Sequence, residues 1–275
     1  MPNRIRHVEA RDQSLSPAQA EVHVLVTPEA RTPATEVRGR LTGPSCPYSS
    51  TVEVAYALRP LPAEGEALAC RAVIPEPSLW ELESPFLYRG PVELWQDGAR
   101  CDRVTLSHGL RSLNLGPRGL RVNGKPLTLR GLEADRLSDE EALALRRAGR
   151  NLLVAPAAAA TLWDTADRLG FLVLGRVSDA GEETLCRLAE LQRHPSCLGW
   201  LVTSGELGSR LPAGWRVGVE WDGRAALPPG LSFVVGREAP EVGLPLLVAG
   251  GEHVYAHRSE QADAPPLLGW LGVGP

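Results

Sequence analysis

Carboxylates are the residues of this chain whose placement invites chemistry. Glu206 follows the apolar run Trp200-Leu201-Val202 after three small residues, and Glu252 follows Leu244–Val248 after Ala249-Gly250-Gly251. Glu220 and Asp222 stand just beyond the run Arg216–Val219. Two carboxyl groups about 5 Å apart can divide the work of a displacement, one protonating the leaving oxygen while the other attacks. Other reactive types organise less well. His253 and His257 lie four apart beside Glu252, as one helical face would present them to a metal, but no third ligand stands at a matching spacing and a solvated loop is the better reading. Thr203-Ser204 lacks the G-x-S-x-G frame of a nucleophile elbow. The five cysteines, Cys46, Cys70, Cys101, Cys186 and Cys197, form no C-x-x-C pair and read as small buried hydrophobes in a reducing compartment. No cofactor and no metal ion is expected.

Such carboxylates need a scaffold that gathers strand ends. With 275 residues the chain has room for two cores. From Arg4 to His108 short strand signals recur with Pro and Gly between them: Glu21–Val26 alternates cleanly, and Thr51–Tyr56, Ala67–Ile74, Val92–Trp95 and Arg103–Ser107 follow. That spacing predicts an all-β sandwich. In Leu106–Gly131, Asn123-Gly124 tolerates positive φ at both positions and predicts a hairpin between Leu120–Val122 and Leu127–Leu129, with Pro126 starting the second strand. Beyond it the period changes. Ser138 with Glu141 forms a capping box for a helix that stops at Gly149. Helices over about 158–169 and 181–193 then alternate with strands at Asn151–Val154, Phe171–Leu174 and Leu198–Val202. Arg216–Val219, Leu231–Val235, Leu244–Val248 and Leu267–Leu271 continue as strands without helices. Eight strands can be counted from Leu127, but about 145 residues is short of the ~200 or more usual for a (β/α)₈ barrel. The expectation is a shortened barrel, with an incomplete, open one as second choice. Its helix-free strand faces need cover from the β-sandwich or another subunit.

Several motifs resemble glycoside hydrolase family 2, the family of β-galactosidases, β-mannosidases and β-glucuronidases. Leu79-Trp80 followed by Ser84-Pro85-Phe86-Leu87-Tyr88 is similar to its "LW…P.LY" run, and Asp102 precedes Gly109-Leu110-Arg111 as an aspartate precedes its "G-x-R". Ala148-Gly149-Arg150-Asn151 resembles "K.G.N", Asp167–Gly170 resembles "cDelG", and Arg193-His194-Pro195-Ser196 with Trp200 resembles "NHPSI..W". The resemblance implies an immunoglobulin-like β-sandwich over 1–112 and a truncated (β/α)₈ barrel over 113–275, without room for the jelly-roll domain that family members usually carry first.

The resemblance also assigns roles. The acid/base glutamate of an "N-E" pair falls on Glu206, one residue further from Trp200 than usual, and its asparagine, which binds the sugar 2-hydroxyl, falls on Gly205. The nucleophile falls on Gly250, which cannot attack; Glu252 substitutes only if the strand end is rebuilt. The sugar-binding arginine after strand two falls on Val154, the "sHyP" element on Ala155–Ala160, and the acidic residue ending strand three on Gly175 or Arg176. Trp270 resembles the tryptophan that floors the sugar site, whereas Trp163 and Trp200 read as core and His194 as structural. Polar contacts of this kind are worth roughly 1.5–3 kcal/mol each when charged, so their joint loss implies poor substrate binding as well as lost turnover. The expectation is a protein related to retaining β-glycosidases but catalytically impaired, acting as a carbohydrate-binding or assembly module. The alternatives are an active β-glycosidase using Glu206 with Glu252, Glu220 or Asp222, and a protein-interaction scaffold. A net charge of −4 argues against nucleic acid, no apolar run is long enough for a bilayer, and the absence of a secretory leader pattern in MPNRIRHVEARDQ implies a cytoplasmic protein.

Overall fold

The computed structural model describes residues 3–62, 65–116, 119–237, 244–249 and 267–272. The chain divides into two compact units, Met1–Arg111 and Ser112–Pro275. Together they are mostly β: antiparallel sheets, a closed parallel barrel and few helices.

Among the described residues the first unit has eight strands: β1 (Ile5–Leu15), β2 (Gln19–Pro28), β3 (Thr35–Ser45), β4 (Val54–Ala57), β5 (Arg59–Leu61), β6 (Leu68–Pro75), β7 (Leu87–Gln96) and β8 (Ala99–His108). They form two antiparallel four-stranded sheets, ordered β1-β2-β6-β5 and β4-β3-β7-β8. The alternation read along β2 is realised: Ala20, Val22, Val24 and Val26 are buried while the residues between them are not. They meet Leu41, Val92 and Leu94 of the other sheet in one core, as the two-residue period of a half-buried strand demands. The β7–β8 turn is Asp97-Gly98, both with positive φ, a tight turn of the same chemistry as Asn-Gly.

The second unit begins with a three-stranded antiparallel sheet of β9 (Leu113–Gly116), β10 (Gly119–Val122) and β11 (Lys125–Leu127). The Asn123-Gly124 hairpin is present, with φ of 51° and 78°. Its boundary differs from expectation. Val122 pairs with Lys125 and Arg121 with Pro126, so the second strand ends at Leu127. Pro126 lies inside it, on an edge strand where its missing N–H costs no ladder bond.

Leu129 instead opens the barrel. Eight parallel strands close on themselves in sequence order: β12 (Leu129–Glu133), β13 (Leu152–Pro156), β14 (Leu172–Val177), β15 (Cys197–Val202), β16 (Val217–Glu220), β17 (Phe233–Gly236), β18 (Leu246–Ala249) and β19 (Leu267–Gly272). The open alternative is therefore corrected. Pairing of Leu129 with Gly269 and of Leu132 with Gly272 seals the ring. Glycine permits that seam: Gly269 has φ 145°, and a Cβ there would lie 1.8 Å from the Leu129 carbonyl oxygen.

Helices α1 (Asp139–Arg147), α2 (Ala160–Leu169) and α3 (Glu182–Leu191) follow the first three barrel strands, and the single turn α4 (Gly205–Ser209) follows β15. The predicted capping box is made, Ser138 accepting from Glu141 N while the Glu141 carboxylate accepts from Ser138 N. Gly170 ends α2 in the left-handed region. Among the described residues no helix follows β16. The outward residues Val217, Val219, Val234, Leu246 and Val248 are nevertheless buried, with Trp215, Leu227, Leu231 and Leu244 packed against their cluster. Apolar side chains of the links thus cover strands that lack helices. No helix among the described residues is long and apolar enough to cross a membrane.

Candidate active-site region at the barrel mouth

Parallel barrel strands deliver their last residues to one mouth. Here these include Glu133 from β12, Arg176 from β14 and Glu220 from β16. Nη2 of Arg176 donates to Glu133 Oε1 and to Glu220 Oε1, each at 2.8 Å. Alternate strands contribute side chains to the same interior layer of such a barrel, which is why residues 43 and 44 positions apart meet. The hydrogen bond to Glu133 holds the Arg176 guanidinium above its ordinary pKa, outweighing burial, and the charges of Glu133 and Glu220 add to it.

Since both carboxylates share one nitrogen, their bonded oxygens lie no more than twice 2.8 Å apart. What stands between them is a guanidinium, and a clamped carboxylate accepting from a cation is not a free proton donor. Glu133 and Glu220 also line an open cleft of about 590 Å³, with Thr203, Trp221, Asp222, Arg237, Ala249 and Leu271 among its other walls. Asp222 is committed to its own turn. Its Oδ1 accepts from Arg224 N and Ala225 N at 2.9 and 3.1 Å, and these bonds hold its carboxyl below the usual range. The Trp221 indole donates to the Ala225 carbonyl at 2.7 Å.

Glu220 and Asp222, singled out in the sequence, both line this cleft, whereas the other candidates are scattered. Glu206 is exposed in the first turn of α4, whose N-cap Ser204 accepts from Leu207 N, and it is not among the walls of the cleft. Gly205 is closed to a side chain: a Cβ would sit 2.5 Å from both Cγ and Cδ of Pro228. Val154 and Ala155 are buried. A Cβ at Gly175 would meet the Trp200 ring at 2.5 Å. Trp270 packs against the cluster between barrel and helices, while its neighbour Leu271 reaches the cleft. Gly250, Glu252, His253 and His257 lie outside the described residues. His194 is tied to the fold: its Nδ1 lies 2.7 Å from Asp167 Oδ2, and Asp167 Oδ1 accepts from Ser196 N. The Arg176 clamp was not anticipated. No local pattern marks it, because Glu133, Arg176 and Glu220 meet only through the layering of the first, third and fifth barrel strands.

Comparison with known proteins places these observations. Residues 4–111 match the model of glycosyl hydrolases family 2. No curated protein matches the sequence. In fold, the chain is similar along 99% of its length to a glycosyl hydrolase family 2 member from Bacteroides cellulosilyticus, with TM-score 0.67 and 17% identity over 44% of that chain. A beta-glycosidase from Bacteroides vulgatus matches 85% of this chain and 35% of its own, with TM-score 0.61 and 18% identity. A b-glucuronidase from Ruminococcus gnavus, solved with an N1-substituted uronic isofagomine, matches 98% and 61%, with TM-score 0.67 and 14% identity. The chain thus spans less than two thirds of each of these structures. It resembles glycoside hydrolase family 2 in sequence over its first unit and in fold over both.

Proposed function

We propose that this chain is a family 2-like module that does not turn over glycosides and serves in carbohydrate binding or assembly. Its units are read as an immunoglobulin-like β-sandwich and a shortened (β/α)₈ barrel. The observation that carries the reading is the Arg176 clamp: the two carboxylates at the mouth are bridged by a cation where a sugar carbon would have to sit. A retaining displacement needs one protonated acid and one free nucleophile on either side of the bond. Glu133 and Glu220 are tied to one guanidinium, and neither is free for that work. Pro228 against Gly205 supports the same reading, because it fills the space of the asparagine expected beside an acid/base glutamate.

One observation favours a second reading. Two carboxylates, Glu133 and Glu220, meet at the mouth, so displacement of Arg176 by substrate would free a pair for an active β-glycosidase. Glu206 with Glu252 remains its other candidate pair. A panel of aryl β-glycosides separates the readings. No turnover is expected from the purified chain. Turnover abolished by Glu220→Gln or by Glu206→Gln would establish the enzyme instead. Saturable stabilisation by a sugar, without turnover, supports carbohydrate binding; its absence beside a defined oligomer in light scattering favours assembly.

A further inference from the structure

Among the described residues, the large apolar side chains left exposed are Tyr48, Val52 and Val54. All three fall in the stretch that leads into β4. That strand ends its sheet, with β3 on one side and no strand on the other among the described residues. Residues along an antiparallel strand alternate between those that exchange backbone hydrogen bonds with the neighbour and those that point these groups away. Leu58 N donates to the Gly39 oxygen, and the same register pairs Tyr56 with Leu41 and Val54 with Gly43. Ala55 and Ala57 therefore turn their N–H and C=O outward, and both residues are exposed. Edge strands are commonly blunted by a lysine, a proline or an inward charge. Val54-Ala55-Tyr56-Ala57 carries none of these.

The chain along this edge is complementary to itself. When two copies pair antiparallel about a two-fold axis, a residue on one side of the axis meets the residue at the same distance on the other side. With the axis at Tyr56, Ala55 of one copy stands opposite Ala57 of the other, which satisfies the outward groups of both. Tyr56 lays its ring against Tyr88, centroids 6.1 Å apart. The same register sets Glu53 opposite Arg59. An axis at Ala55 or at Ala57 would instead set Glu53 against Ala57 or Leu61. Glu53 and Arg59 are exposed, and neither makes an ion pair among the described residues. We propose that β4 is a dimerisation edge, pairing antiparallel with β4 of a second copy of this chain about Tyr56, with two Glu53–Arg59 contacts fixing the register. This goes beyond the reading above, because the edge lies in the first unit and its pairing can be measured whether or not a glycoside is bound or hydrolysed.

Sedimentation velocity of the full chain over a wide range of concentration tests this. A reversible monomer–dimer equilibrium is expected. Ala55→Pro removes an outward N–H that the sheet of the monomer does not use, so the variant should keep the circular dichroism of the parent while its dimer weakens at least about tenfold. Glu53→Arg and Arg59→Glu should each weaken the dimer, since like charges then stand opposite one another. The two together should dimerise like the parent, because the charges have only changed places. A chain that is monomeric at every concentration overturns the proposal. So does a dimer indifferent to Ala55→Pro, or one weakened by the single charge reversals and not restored by their combination. Should Ala55→Pro not fold, the charge reversals, at exposed positions, decide alone.

Discussion

Placing a polar side chain at position 205 probes the mouth directly. The ideal Cβ of Gly205→Asn lies 2.5 Å from Cγ and from Cδ of Pro228, with Pro228 Cβ at 3.6 Å. Carbon atoms in good contact stay about 3.5–4.0 Å apart, so the ring and the α4 turn must separate by roughly 1 Å before the amide is housed at all. Overpacking of this kind costs about 1–3 kcal/mol. Pro228 is half-buried in the helix-free link after β16, which can give, so the lower part of that range, about 1–2 kcal/mol, is expected. Urea unfolding followed by tryptophan fluorescence measures it. Pro228→Ala removes Cγ and Cδ, so in the double variant most of the loss should return, a coupling that a double-mutant cycle reports. Gly205→Asn as stable as the parent chain, with Pro228 in place, would refute the steric argument. Turnover of an aryl β-glycoside by Gly205→Asn would refute the larger one, that more than a single missing side chain separates this mouth from a working one.

Three other perturbations have defined outcomes. Burial opposes protonation of His194, but the hydrogen bond and charge of Asp167, with the charge of Asp164, outweigh it and raise its pKa. The stabilisation is then complete below the unfolded value of about 6.5 and is lost as pH rises through the folded value. The gap in unfolding free energy between the parent and His194→Gln, measured in urea, should shrink from acid to alkaline pH, by about 1 kcal/mol; a gap that widens contradicts the pairing. Gly269→Ala puts a methyl within 1.8 Å of the Leu129 carbonyl oxygen, and a loss of about 4 kcal/mol or more is expected, read as a lower and broader thermal transition in near-ultraviolet circular dichroism. Ser138→Ala removes the acceptor for Glu141 N and should cost about 1 kcal/mol in the same urea assay.

Periodicity made most of the second unit legible. Seven of the predicted barrel strand segments, from Asn151–Val154 to Leu267–Leu271, overlap β13 to β19, because a strand buried on both faces reads as an apolar run whatever surrounds it. The Ser138 cap and the Asn123-Gly124 turn were legible because each is fixed within four residues. The end of the hairpin was not. Leu127 and Leu129 look alike in sequence, and only tertiary pairing divides them between β11 and the barrel. The clamp was hidden more deeply. Glu133, Arg176 and Glu220 are unremarkable in sequence, and their meeting depends on strand tilt and on the layering of alternate strands, which no local pattern records. The outward packing of Trp270 depends on the same register.

The seam between β12 and β19 has a consequence for synthesis. The two strands that close the ring are separated by all the others, so β12 waits with an unpaired edge while six further strands are made. Until β19 is made the ring cannot close, so any sheet already formed by β12 to β18 has two free margins, the form in which β-proteins most readily pair with the wrong neighbour. A ribosome paused before Leu267 would therefore present a substrate for chaperones, and release of that dependence should coincide with emergence of the final strand.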